Sequence, residues 1–229
     1  QTDVNDIVQD SIGFLWIATR DGLNRFDGIN FETYYHNSSD TTSIQSNEIW
    51  DLESDSTGNL WIGLSGGLSY YVVHENTFYN YPLTSFNPNY RSVIVNDIEI
   101  AGHSILLGTS SGLITFNVES KSFAVEKKFE TIAEKNITAL SSTKDKKLWI
   151  GTDNGLFLFN SADSQGLINI ALNQVSKISS LYKDPQTDNL YIGSQTKLFL
   201  YPKDGAGLFE INLPDTENKK EILQTLRAE

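Results

Sequence analysis

Apolar residues along this chain fall in short runs closed by polar turns. The clearest runs are "FLWIAT" (14–19), "LWIGL" (60–64), "ILLGT" (105–109), "LWIGT" (148–152) and "LYIGS" (190–194). Each is rich in β-branched and aromatic residues and is bounded by glycine or polar turn formers, with no helical spacing, so each predicts a strand. Their cores are apolar at consecutive positions rather than at alternate ones, the mark of a strand covered on both faces. In the first unit, "VNDIVQ" (4–9) precedes this strand, and "GLNRF" (22–26) and "NFETYYH" (30–36) follow it. The unit therefore reads as four strands, A to D, with strand B carrying the apolar run.

Measured at Trp16, Trp61, Leu107, Trp149 and Tyr191, the units recur at spacings of 45, 46, 42 and 42 residues. That period belongs to solenoids and propellers, and four antiparallel strands make a propeller blade. The expected fold is thus all-β: a β-propeller segment of five four-stranded blades at about 4–36, 48–81, 94–125, 136–170 and 177–212. "ILQTL" (222–226) starts a further blade over 221–229. Both ends then fall at an innermost strand, so the reading is a fragment of a larger propeller, of roughly seven blades, with open β edges. Between A and B, "DSIG" and "DSTG" place Asp first and Gly fourth, as a turn requires. Gly22, Gly67, Gly112 and Gly155 recur where strand C begins. Trp16, Trp61 and Trp149 are expected to pack between blades, because indoles bury large areas.

Charge and composition narrow the function. With 17 Lys+Arg against 29 Asp+Glu, the net charge of −12 disfavours nucleic acid and anionic membrane surfaces. The 229 residues include no cysteine, which removes disulfides and thiolate metal sites. No apolar run approaches the ~18 residues of a membrane span, so direct membrane insertion is not expected. The start "QTDVNDIVQD" lacks the basic-then-apolar order of a signal peptide. Methionine is absent, and the chain reads as a processed product or a piece of something longer.

Candidate chemistry is sparse. "SDSTGNLW" (54–61) resembles an Asp-box, but Ser56 stands where the Asp belongs. The four arginines, Arg20, Arg25, Arg91 and Arg227, are scattered rather than clustered to hold a carboxylate. A propeller enzyme is therefore disfavoured, and no catalytic residue is assigned. Asp6, Asp51 and Asp97 stand at equivalent places on strand A and are weak candidates for Ca²⁺ or Mg²⁺; the alternative is that each bonds backbone amides of a neighbouring loop. Units four and five carry Ala139 and Ser180 there. His36, His74 and His103 read as surface residues. No cofactor is expected.

Loops into strand A and loops joining B to C share one face. The richest are "NSSDTTSIQSNEIW" (37–50) and "SFNPNYRSV" (85–93). The ligand-binding candidates on this face are Arg20, Asp21, Asn47, Trp50, Tyr90, Arg91, Asp153 and Asn154. Trp50 stands out because its counterparts are Asn5, Asn96, Thr138 and Ser179. An exposed patch for protein partners, as on other propeller scaffolds, is the alternative to a ligand pocket.

The pattern D-x-x-G-x-L-W-I-[GA]-T-x-x-G-L, seen here from Asp10 to Leu23, resembles the two-component-regulator propeller repeat. "ILLGTSSGL" and "LYIGSQTKL" are degraded copies. The resemblance implies the periplasmic sensor region of a Bacteroidetes hybrid two-component system, with a histidine kinase in a module absent from this chain. It further implies recognition of glycan-derived oligosaccharides, signalling to polysaccharide-utilisation genes, the remaining propeller and sensor modules of the same protein as partners, and a homodimer. The segment itself would be non-catalytic.

Overall fold

The computed structural model describes residues 3–143, 147–160, 166–170, 177–194 and 197–212. They form five four-stranded antiparallel sheets, each in simple up-and-down order, as the repeat predicts. The first holds β1 (Val4–Gln9), β2 (Leu15–Thr19), β3 (Gly22–Phe26) and β4 (Phe31–Tyr34). The second holds β5 (Ile49–Ser54), β6 (Leu60–Leu64), β7 (Gly67–Val72) and β8 (Thr77–Pro82). The third holds β9 (Val95–Ala101), β10 (Ser104–Thr109), β11 (Gly112–Asn117) and β12 (Ser122–Ala124). The fourth holds β13 (Ile137–Ser142), β14 (Lys147–Thr152), β15 (Gly155–Asn160) and β16 (Leu167–Ile170). The fifth holds β17 (Ile178–Lys183), β18 (Leu190–Ser194), β19 (Leu198–Tyr201) and β20 (Phe209–Ile211). The strand expected at 222–226 lies outside the described residues.

Two compact units divide the chain, residues 1–126 with the first three blades and residues 127–229 with the other two. Within each, successive blades meet along their A strands: β1 on β5, β5 on β9, and β13 on β17. The core lies between blades. Trp16, Ala18 and Leu23 of the first join Ile49, Leu60, Ile62 and Tyr71 of the second. In the same way Trp61 and Leu68 join Val95, Leu107 and Phe116, and Trp149 and Leu156 join Ile178, Ile192 and Phe199. Both faces of strand B are covered, which is why its apolar residues are consecutive.

The expected tryptophan packing is present and follows one rule. Each indole meets an aromatic residue of strand C in the next blade: Trp16 with Tyr71 at 5.0 Å, Trp61 with Phe116 at 5.8 Å, Trp149 with Tyr201 at 4.7 Å. The A–B turn also behaves as its sequence predicts. Asp10 Oδ1 accepts from the amides of Ile12, Gly13 and Phe14, while Oδ2 accepts from Trp16 Nε1 at 2.8 Å. At the B–C turn the last hydroxyl of strand B donates to the carbonyl three residues on, in the pairs Thr19 to Gly22, Thr109 to Gly112, Thr152 to Gly155 and Ser194 to Lys197.

Two details differ from the sequence reading. Thr109 pairs with Gly112 as Thr19 pairs with Gly22, so the third-unit counterpart of Trp16 is Leu106, not Leu107. The spacings around it become 45 and 43. The run "ILL" offers no aromatic residue to fix the register. In the second blade the left-handed residue of the B–C turn is Gly66 (φ +85°), not Gly67, and an added Cβ there would lie 2.7 Å from the Arg91 carbonyl oxygen.

Candidate functional site

One irregularity repeats in all five blades. Register shifts leave Asn5, Trp50, Asn96, Thr138 and Ser179 as the extra residue of a bulge in strand A. A bulge turns a side chain out of the ladder and bends the strand. Two of these side chains tie their blade to the next: Asn5 Nδ2 donates to the Ile49 carbonyl at 2.6 Å, and Thr138 Oγ1 to the Ile178 carbonyl at 2.7 Å. Trp50 and Ser179 depart from this pattern, for the Ser179 Oγ is also buried without a hydrogen-bond partner among the described residues, and Trp50 alone brings an aromatic ring to the position. Its Nε1 is buried without a hydrogen-bond partner among the described residues, and the Arg20 guanidinium lies over its ring, 4.7 Å from the centroid. A buried indole N–H normally finds an acceptor.

Arg20 and Trp50 are thus brought together. Asp21 is exposed beside them, its amide donating to Thr19 Oγ1 at 3.1 Å. Asn47 serves the turn: its carbonyl accepts from the Gly22 amide at 2.9 Å, and its Oδ1 from the His36 amide at 2.6 Å. Tyr90 and Arg91 sit in a 3₁₀ turn, Pro88–Ser92, capped by Asn87. Tyr90 packs on the core between the second and third blades, and Arg91 is exposed. Asp153 and Asn154 are exposed in the second unit, their amides donating to the Asn136 carbonyl and to Thr152 Oγ1. Sequence reasoning missed Gln45. Its Nε2 donates to the Gly66 carbonyl at 3.1 Å, while its Oε1 is buried and unpartnered among the described residues.

The strand A aspartates do the bonding of the alternative reading, though to strands rather than loops. Asp6 Oδ2 accepts from the Leu52 amide at 3.0 Å, and Asp51 Oδ2 from the Ile98 amide at 2.7 Å. Each carboxylate thereby fastens its blade to the next inner strand. No group of three or more His, Cys, Asp or Glu side chains, Asp97 included, is placed to hold a metal among the described residues. Asp51→Ala would leave the Ile98 amide unsatisfied and is expected to cost about 1–3 kcal/mol. Urea unfolding with and without added Ca²⁺ checks this; a Ca²⁺-dependent gain in the parent, lost in the variant, would restore the metal reading.

A second feature lies at the opposite end of the strands, where A–B and C–D turns gather. A cleft of about 850 Å³ opens between the second and third blades. One cross-strand row forms its wall: Glu53 on β5 opposite Trp61 on β6, then Tyr70 on β7, then Tyr79 on β8. Trp61 is buried, Tyr70 and Tyr81 are half-buried, and Tyr79 is exposed. Tyr70 Oη donates to Asp55 Oδ2 at 2.7 Å, and Tyr79 Oη to Glu75 at 2.8 Å. Burial, then the neighbouring Glu99, Asp97 and Asp6, push the Glu53 carboxyl up to about 8. Alternation within each strand was the only sequence signal for this row.

Five antiparallel four-stranded blades, with polar and aromatic groups gathered on strand-end faces, define a propeller module; no helix among the described residues is long and apolar enough to cross a membrane. Residues 43–66, which span the second unit's strand B, match the family model of the two component regulator propeller. A stretch of 44 residues is 59% identical to Histidine kinase P4 of Formosa agariphila, covering 19% of this chain and 3% of that protein. The extracellular domain assigned to a hybrid two component system of B. thetaiotaomicron superposes with a TM-score of 0.72 at 25% identity, over 94% of this chain and 31% of that one. Virginiamycin B lyase from Staphylococcus aureus shares the fold alone, with a TM-score of 0.71 at 13% identity over 96% of this chain and 72% of the enzyme. The chain therefore spans under a third of the extracellular domain it resembles.

Proposed function

We propose that this chain is part of the extracytoplasmic, periplasmic sensor region of a hybrid two-component system, that it is non-catalytic, and that it recognises a glycan-derived oligosaccharide. The observation that carries the reading is the Arg20–Trp50 pair, with its unsatisfied indole N–H, on a strand position that elsewhere holds small polar residues. An aromatic face beside planar hydrogen-bonding groups suits a sugar ring. Support for the signalling context comes from the propeller repeat at 43–66 and from the likeness to a histidine kinase and to a two component system's extracellular domain. The partners are then the other modules of the same protein, and a homodimer is the expected assembly. Gln45, Asp21 and Arg91 surround the same face as further polar groups.

Calorimetry against a panel of glycan fragments tests the reading. Trp50→Ala is expected to weaken sugar binding by about tenfold or more, in line with about 1–3 kcal/mol for a buried aromatic contact. Stability should change little, because Asn, Thr and Ser occupy the equivalent bulges. Unchanged affinity would remove Trp50 from the site. Turnover of any glycan would overturn the non-catalytic reading.

A further inference from the structure

The cleft between the second and third blades carries chemistry that the sugar reading does not use. Its wall is graded from a carboxyl at the inner strand to phenols at the outer one, through the row Glu53, Trp61, Tyr70 and Tyr79. Tyr81 extends the aromatic wall two residues along β8, on the same face as Tyr79. The corresponding row of the first blade has a different chemistry, with Val8 in the place of Glu53 and an Arg25–Glu32 ion pair beside Trp16. Between the fourth and fifth blades a smaller cleft of about 400 Å³ has lysines, Lys147 and Lys203, in its lining. There Ser141 stands opposite Trp149, where the second blade has Glu53 opposite Trp61.

Aromatic faces carry negative quadrupole potential and attract cations. A carboxyl at the desolvated end of an aromatic wall adds a full charge when it ionises, and the low dielectric there strengthens its pull. We propose that this cleft binds an organic cation, with its charged group at the Glu53 end and its apolar body along Tyr70, Tyr79 and Tyr81. The volume lies within the range of small-molecule sites.

The charged groups around Glu53 favour this sign of ligand. Asp6 on β1 and Asp97 and Glu99 on β9 all raise its affinity for a proton, and a ligand cation offers the same neutralisation. Asp55 lines the cleft with its carboxylate already accepting from Thr57, Asn59 and Tyr70. The two cationic candidates lie at turns: Lys121 is exposed in the β11–β12 turn, and His103 is exposed and 3.3 Å from Glu119. Glu53 is neutral below about pH 8 and charged above it. Cation binding near neutrality must therefore expel its proton, and affinity must rise with pH.

Benzyltrimethylammonium, which keeps its charge at every pH, and benzyl alcohol, its uncharged analogue, are the probes for calorimetry on the whole chain. The cation is expected to bind about tenfold more tightly than the alcohol, with a further rise of about tenfold between pH 6.5 and 9. Proton release should show as a dependence of the heat on buffer ionisation enthalpy at pH 7. Glu53→Gln should abolish both the pH rise and the proton release, and Tyr79→Ala should weaken the cation about fivefold. Urea unfolding of Glu53→Gln separates loss of binding from misfolding. A carboxyl raised from 4.5 to about 8 makes the folded state progressively less stable as pH rises from about 4.5 to about 8, so the neutral amide should be the more stable protein at pH 9. Equal affinity for the two probes, a flat pH profile, or an unchanged Glu53→Gln variant would each overturn the proposal. Trp50→Ala should leave cation binding intact, which separates this site from the sugar site.

Discussion

Trp16→Ala is expected to lower the unfolding free energy by about 3–5 kcal/mol, the usual range for truncating a buried indole. Trp16 is fully buried, its ring lies 5.7 Å from Tyr34 and 5.0 Å from Tyr71, and its Nε1 donates to Asp10. Removing it opens a cavity between the first two blades and strips one partner from the carboxylate that organises the A–B turn. Trp16→Phe keeps an aromatic ring but loses the N–H and part of the bicyclic ring, so a smaller loss of about 1–3 kcal/mol is expected. Urea unfolding followed by circular dichroism measures both. If the two variants lose equally, the hydrogen bond to Asp10 rather than the packing dominates.

The second large effect is expected from adding rather than removing atoms. Gly151 of strand B faces strand A of the next blade so closely that a Cβ would sit 2.7 Å from Ile178 Cγ2 and 3.0 Å from Ile178 Cβ. Gly63 meets the Val95 carbonyl oxygen at 3.0 Å in the same way. Gly151→Val would place two further methyl groups in that gap, and overpacking of this kind costs about 1–3 kcal/mol or more. A Gly151→Val/Ile178→Ala double variant should recover part of the loss, since the cost arises from one contact. Thermal unfolding of the single and double variants tests it; strict additivity would locate the strain elsewhere.

Small residues at Ala18, Gly63, Gly108, Gly151 and Gly193 were visible in the sequence as the fourth member of "LWIG". Their reason was not. The close neighbour belongs to another blade, tens of residues away, and no local pattern names it. The aspartates show the same divide. Asp6 and Asp51 were readable as strand A carboxylates with two competing roles, and only the Leu52 and Ile98 amides, 46 and 47 residues along, decided for blade fastening. Trp50 was legible as an exception among small polar residues, whereas the cation over its ring and its unmet N–H were not. Tyr90 and Asn47 were legible as polar or aromatic loop residues, whereas the core packing of the one and the turn bonds of the other were not.

The row from Glu53 to Tyr79 marks the limit most clearly. Each member alternates correctly within its own strand, but its alignment across four strands depends on the bulge at Trp50 and on the lengths of three turns. By itself the sequence determined the strands, their period, the four-strand unit and the residues between blades, because apolar burial on both faces and turn chemistry act over a few residues. Only the tertiary structure decided which carboxylate meets which amide, where a cleft stays open and what stands over Trp50. Those outcomes depend on register and on side chains from different blades, which interact through space at distances the linear pattern does not encode.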